Sequence, residues 1–121
     1  MHAETSTGVT HPLAELAAEM RGGDALLMAD CVTSLGGIEL EPERWGVDYC
    51  YSCSQKCLGA PPGISPVSLS PRAMERIVTR TTPVPFSFDF ELLARYWIER
   101  PATYHHTTPN IQYYALYEGL R

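Results

Sequence analysis

The sequence predicts an α/β fold, built on a βαβ-type sheet with helices packed against it. Three observations carry that prediction. Short apolar runs of strand length alternate with stretches of helical periodicity. The first run, Ala25–Ala29, is apolar throughout, as a strand covered on both faces requires. Two runs end at distinctive polar residues, Asp30 and the Ser52–Lys56 turn, and open α/β sheets bind their ligands at the carboxyl ends of strands.

Composition narrows the class. With 121 residues the chain has room for one domain, and 45% hydrophobic against 19% charged residues describes a globular rather than a disordered segment. A net charge of −5 with scattered arginines excludes a nucleic-acid footprint. No apolar run is long enough to span a membrane and no signal peptide follows Met1, so a cytoplasmic location is expected.

The elements follow in order. His2–Gly8 is a polar, hydroxyl-rich opening. Pro12 stands where a first helical residue tolerates proline, and Leu13, Leu16, Ala17 and Met20 recur at helical spacing until Gly22-Gly23. Ala25–Ala29 is a strand that stops at Asp30. Thr33–Gly37 is a turn, Pro42–Trp45 a loop or single helical turn, and Val47–Tyr51 a second strand. Ile64–Leu69 is a third, closed by Ser70-Pro71. Arg72–Arg80 is helical, and Thr81–Phe86 is an extended, proline-bearing connector. Phe90–Ile98 is the best amphipathic helix, with Phe90, Leu92, Leu93 and Trp97 facing inward and Glu91 spaced to pair with Arg95. A loop at Pro101–Pro109 precedes a final helix from Asn110 onward.

Four cysteines, Cys31, Cys50, Cys53 and Cys57, raise the question of metal. In a strand, residues three apart point to opposite faces, so Cys50 and Cys53 cannot share one ion there. No second pair completes a tetrahedral set, and small buried thiols are the expected reading, with no metal site.

Lys56 is the only lysine among nine basic residues and lies in a polar turn before the stiff Pro61-Pro62-Gly63. A lysine capping one strand and a carboxylate, Asp30, capping its neighbour form a usable pair. The amine can bond covalently to an aldehyde cofactor, and the carboxylate can keep a pyridine nitrogen protonated. An aspartate that caps a turn and a lysine in solvent is the simpler alternative on the residues alone.

Spaced motifs add to this. His2-Ala-Glu-Thr-Ser-Thr-Gly8, Met28-Ala-Asp-Cys-Val-Thr-Ser-Leu-Gly-Gly37 and Ser54-Gln-Lys-Cys-Leu-Gly-Ala-Pro-Pro-Gly63 are followed in order by Phe86-Ser-Phe88, Tyr96-Trp97 and Tyr104-His-His-Thr107. Together they resemble the class V, fold-type I aminotransferases, with closest likeness to the alanine–glyoxylate and serine–pyruvate enzymes. The resemblance implies a mixed, mostly parallel sheet with flanking helices, pyridoxal 5′-phosphate as cofactor, and small amino acid and 2-oxo acid substrates. Lys56 matches the lysine that forms a Schiff base with the cofactor and shuttles the substrate α-proton. Asp30 matches the partner of the pyridine nitrogen, Val32 the residue against the ring face, and Gln55 a phosphate ligand. Thr5 stands where the family usually has a serine near the cofactor hydroxyl. Tyr104 and Thr107 match residues that reach across a homodimer interface to the partner's cofactor phosphate.

Cys53 departs from the usual glycine. The family's upstream glycine loop, ring-stacking aromatic and downstream carboxylate-binding arginine have no counterpart here. Residues 1–121 therefore resemble the central part of the large domain, without its N-terminal segment or the small domain. A truncated, non-catalytic chain that dimerises with full-length relatives is one alternative, and a cysteine desulfurase or kynureninase of the same fold is another. Desulfurase-like relatives carry histidine where Gln55 stands, which favours transamination. A targeting signal on a longer chain would make the location peroxisomal or mitochondrial.

Overall fold

The computed structural model describes residues 1–121. Its centre is a three-stranded sheet of β3 (Met28–Asp30), β4 (Tyr49–Tyr51) and β5 (Val67–Leu69). β3 and β4 run parallel, with Met28 opposite Tyr49, Ala29 opposite Cys50 and Asp30 opposite Tyr51. β4 and β5 run antiparallel, with Cys50 opposite Ser68, so the sheet is mixed.

Side-chain alternation divides the sheet's two faces. Ala29, Cys31 and Cys50 join Leu13 and Ala17 of α1 (Leu13–Glu19) and Val47 in the buried core, with Leu27, Leu35, Leu40 and Trp45 around it. Asp30 and Tyr51 stand on the other face beside Tyr49, whose ring meets Phe90 edge-on at 5.9 Å. Phe90 opens α4 (Phe90–Trp97), which Asp89 caps by accepting from the Glu91 and Leu92 amides.

All three strands are shorter than the apolar runs suggest, because side chains and turns take the flanking amides. Leu27 N–H donates to Asp48 Oδ2 at 2.9 Å, so β3 starts at Met28 and extends through Asp30 instead of stopping before it. Val47 N–H bonds to the Pro42 carbonyl at the end of α2 (Pro42–Trp45), a single helical turn. Ile64 N–H is taken by Ser54 Oγ, which leaves β5 to begin at Val67. The buried Asp48 is itself tied down, since Oδ1 accepts from Ser70 Oγ at 2.8 Å. Ser70 Oγ in turn accepts the Ala73 amide, capping α3 (Pro71–Thr79) with proline at its first position.

Several expectations are corrected. The polar opening is a small hairpin, β1 (Ala3–Glu4) antiparallel to β2 (Val9–Thr10), too short to show strand periodicity. Pro12 is the N-cap of α1 rather than its first helical residue. Trp97, expected inward, is 46% exposed because α4 has only its N-terminal end against the sheet. The Glu91–Arg95 pair forms at 2.6 Å. The last helix, α5 (Asn110–Gly119), runs along the Leu58–Gly63 turn so closely that a Cβ on Gly119 would overlap the Leu58 carbonyl oxygen.

Only 15 of 121 residues are buried, so the apolar sides of α4 and α5, including Ile98, Ile111 and Tyr114, stay open. No helix is long and apolar enough to cross a membrane.

Candidate active site

β4 delivers the chain into the turn that carries Lys56, and Ser54 closes that turn from a fully buried position. Its Oγ donates to the Pro61 carbonyl at 2.6 Å and accepts the Ile64 amide at 3.3 Å. Its backbone pairs with Ile64 O and Ala60 N, both at 3.0 Å. Four bonds from one residue thus fix the base of the loop, and the consecutive prolines 61 and 62 stiffen its return.

The hairpin supplies the opposite wall. His2 N–H donates to the Asp30 carbonyl at 2.8 Å, and Thr33 Oγ1 donates to the Ala3 carbonyl at 2.7 Å, so β1 is fastened to the chain just beyond β3. Between hairpin and turn lies an open cleft of about 460 Å³ lined by Glu4, Thr5, Thr33, Lys56 and Cys57, among others. That volume suits a small-molecule ligand. Lys56 forms no ion pair within the chain, which leaves its amine uncommitted. The Glu4 carboxyl is held below its ordinary value by hydrogen bonds from the Ser6 amide and hydroxyl, so the cleft also carries a fixed negative charge.

Asp30 lies at the end of β3, outside the residues that line this cleft. Oδ1 accepts the Val32 amide at 2.9 Å, and Oδ2 accepts the Tyr51 hydroxyl at 2.9 Å. Each carboxylate oxygen has two acceptor sites, so the group can still receive a proton donor from a ligand. The bond to Asp30 raises the Tyr51 phenol above its usual value by favouring the protonated hydroxyl.

The structure thus brings Thr5 and Lys56 into one cleft, with Asp30 and the half-buried Val32 at the neighbouring strand end. Gln55 is exposed beside Lys56 and does not line the cleft. Tyr104 and Thr107 stand apart from it, their hydroxyls 2.9 Å from each other on the loop before α5. Ser54, Tyr51, Glu4 and Thr33 were not singled out by sequence reasoning. Their roles depend on contacts across the fold, and of the four only Glu4 lay in the hydroxyl-rich opening of residues 2–8.

All four cysteines are free thiols, and no three His, Cys, Asp or Glu side chains converge on a metal position. Cys31 and Cys50 are buried core residues, and the Cys31 thiol is pushed up by its hydrogen bonding to Cys50 and by burial. Cys57 differs from the expected buried thiol. It is exposed, with Sγ 3.6 Å from the Thr33 carbonyl oxygen. Glycine at position 37 permits this approach, since a Cβ there would lie 2.8 Å from Cys57 Sγ.

The chain is similar to known proteins along its whole length. Alanine–glyoxylate aminotransferase of Oryctolagus cuniculus is 46% identical over 123 residues, covering 98% of this chain and 31% of that protein. The crystal structure of alanine–glyoxylate aminotransferase from Nostoc sp. superposes with a TM-score of 0.92 at 49% identity, covering 99% of this chain and 32% of that one. Ureidoglycine–glyoxylate aminotransferase from Bacillus subtilis gives a TM-score of 0.90 at 39% identity, covering 99% of this chain and 31% of that one. The chain therefore spans about a third of the length of the relatives it matches. The family described as Aminotransferase class-V matches residues 1–121, the full span that carries the hairpin, the Asp30 strand end and the Lys56 turn, and the chain belongs to that family.

Proposed function

We propose that this chain is the central part of the large domain of a pyridoxal-phosphate-dependent aminotransferase. The enzyme would move an amino group from alanine or serine to glyoxylate or pyruvate. The observation that carries the reading is one cleft shared by the unpaired Lys56 amine and the Thr5 hydroxyl, with a carboxylate fixed at the adjacent strand end. The similar proteins over 40% identical are alanine–glyoxylate aminotransferases, which supports alanine as donor and glyoxylate as acceptor.

When bound, pyridoxal phosphate supplies an electron-withdrawing ring that stabilises negative charge at the substrate α-carbon. The residues present fit such a group. Lys56 would hold it covalently through Nζ and then take and return the substrate α-proton. Asp30 would keep the ring nitrogen protonated, and the bonds from Val32 N–H and the Tyr51 hydroxyl keep that carboxylate in place. Val32 would pack on the ring, Thr5 would meet its hydroxyl, and Gln55 would hold its phosphate. Tyr104 and Thr107, outside their own cleft, would serve the phosphate of a second copy in a homodimer.

Borohydride reduction of the full-length protein with pyridoxal phosphate, followed by peptide mapping, tests the assignment. Label on the peptide containing Lys56 is expected. Label on another lysine, or none, would overturn it.

A further inference from the structure

The loop before α5 carries two adjacent histidines that the proposed reaction does not use. His105 is 8% exposed, with its ring stacked on Phe86 at a centroid distance of 4.1 Å and an interplanar angle of 4°. Its Nε2 lies 3.0 Å from the Phe86 carbonyl oxygen, and its Nδ1 lies 2.8 Å from Nδ1 of His106. A carbonyl oxygen only accepts, so Nε2 of His105 carries a proton. Nδ1 of neutral His105 is then an acceptor, and the proton between the two rings belongs to His106. The His106 ring packs against Tyr96 at 5.4 Å and Trp97 at 6.4 Å. The pair thereby hooks the loop to the 3₁₀ turn Phe86–Phe88 on one side and to α4 on the other.

Of the flanking residues, Tyr104 sets its ring edge-on to Tyr96 at 5.9 Å, the same ring that His106 meets, and Thr107 is exposed. Tyr104 is 70% exposed, and its hydroxyl meets Thr107 Oγ1 at 2.9 Å. The two anchored rings lie between the two hydroxyl-bearing residues in the chain, and His106 and Tyr104 share the Tyr96 ring, so fixing the histidines helps to fix where the hydroxyl pair stands.

We propose that the His105–His106 hydrogen bond is a positioning device that holds Tyr104 and Thr107 ready for the phosphate ester of a second copy's cofactor. The inference rests on the reading of those two hydroxyls given above. A loop already held in its binding conformation loses less freedom when the ligand arrives, so loosening the pair weakens the phosphate contact without touching it.

The test compares binding of pyridoxal phosphate and of phosphate-free pyridoxal to the full-length protein. H106F keeps an aromatic ring against Tyr96 and Trp97 but removes the N–H donor. It is expected to weaken pyridoxal phosphate about tenfold, the worth of one hydrogen bond, and to leave pyridoxal unchanged. H106N restores an N–H donor and should recover most of the loss. Equal weakening of both ligands by H106F, or no weakening of either, would overturn the proposal. Y104F and T107V separate the two ideas. If neither changes the ratio of the two affinities, the hydroxyl reading fails and the proposal with it. If both change it while H106F does not, the positioning role alone is overturned.

Discussion

Ser54 donates a 2.6 Å hydrogen bond to the Pro61 carbonyl oxygen from a position with no exposed surface. Ser54 Oγ also accepts the Ile64 amide, so removing the hydroxyl strands a donor and an acceptor at once. S54A is expected to destabilise the full-length protein by about 1–3 kcal/mol. Urea unfolding measures this, and a midpoint equal to wild type would show that the turn holds without its hydroxyl.

A second prediction concerns the approach of α5. A Cβ on Gly119 would overlap the Leu58 carbonyl oxygen, and backbone cannot swing aside as a side chain can. G119A should cost about 1–3 kcal/mol through overpacking and should displace the loop bearing Lys56. Faster proteolysis within residues 56–63 would report the displacement; unchanged cleavage and stability would refute it.

Tyr51 offers a pH test. Its phenol is raised from the ordinary value of 10.0 in the folded state, chiefly by donating to Asp30. The folded state therefore keeps the proton longer than the unfolded state does. The resulting stabilisation is fully present below pH 10.0 and fades as pH rises through the folded value. Wild type should lose stability more steeply than Y51F above that pH, as read by thermal melts across the alkaline range. Parallel curves would count against the bond.

His2 gives the acid counterpart. Burial lowers its imidazole from the ordinary 6.5, so the unfolded chain binds the proton more readily. Its contribution is present above pH 6.5 and is lost as pH falls through the lower folded value. The ring also sits edge-on to Trp45 at 5.9 Å. H2F should keep that packing and flatten the acid limb of a stability–pH profile. An unaltered limb would assign the acid sensitivity elsewhere.

Under the proposed function, D30N in the full-length protein should lower turnover about 10²-fold, because a neutral amide would no longer favour a charged ring nitrogen. Steady-state kinetics on alanine and glyoxylate would read it, and near-wild-type turnover would remove Asp30 from the proposed role.

The sequence made the strand ends legible because a carboxylate and a lone lysine interrupt apolar runs there, and α4 was legible through its period and its Glu91–Arg95 pair. The hairpin was not, because two-residue strands carry no usable alternation. Ser54 and Tyr51 were missed for a different reason. A serine or tyrosine near a strand end looks the same whether it faces solvent or closes a loop, and only the partners Pro61 and Asp30 tell the two apart. Trp97 misled because helical period identifies an apolar side but not what covers it.

Parallel pairing sets Asp30 opposite Tyr51, five residues before Lys56. Were β4 to slip by one residue, the lysine would move about 3.3 Å and Cys50 would turn away from the core. The hydroxyl that steadies the carboxylate would leave with it. Any strand mispairing during folding would thus displace Lys56 and unseat the Asp30 carboxylate together, and an intact Asp30–Tyr51 bond reports that β4 is in register.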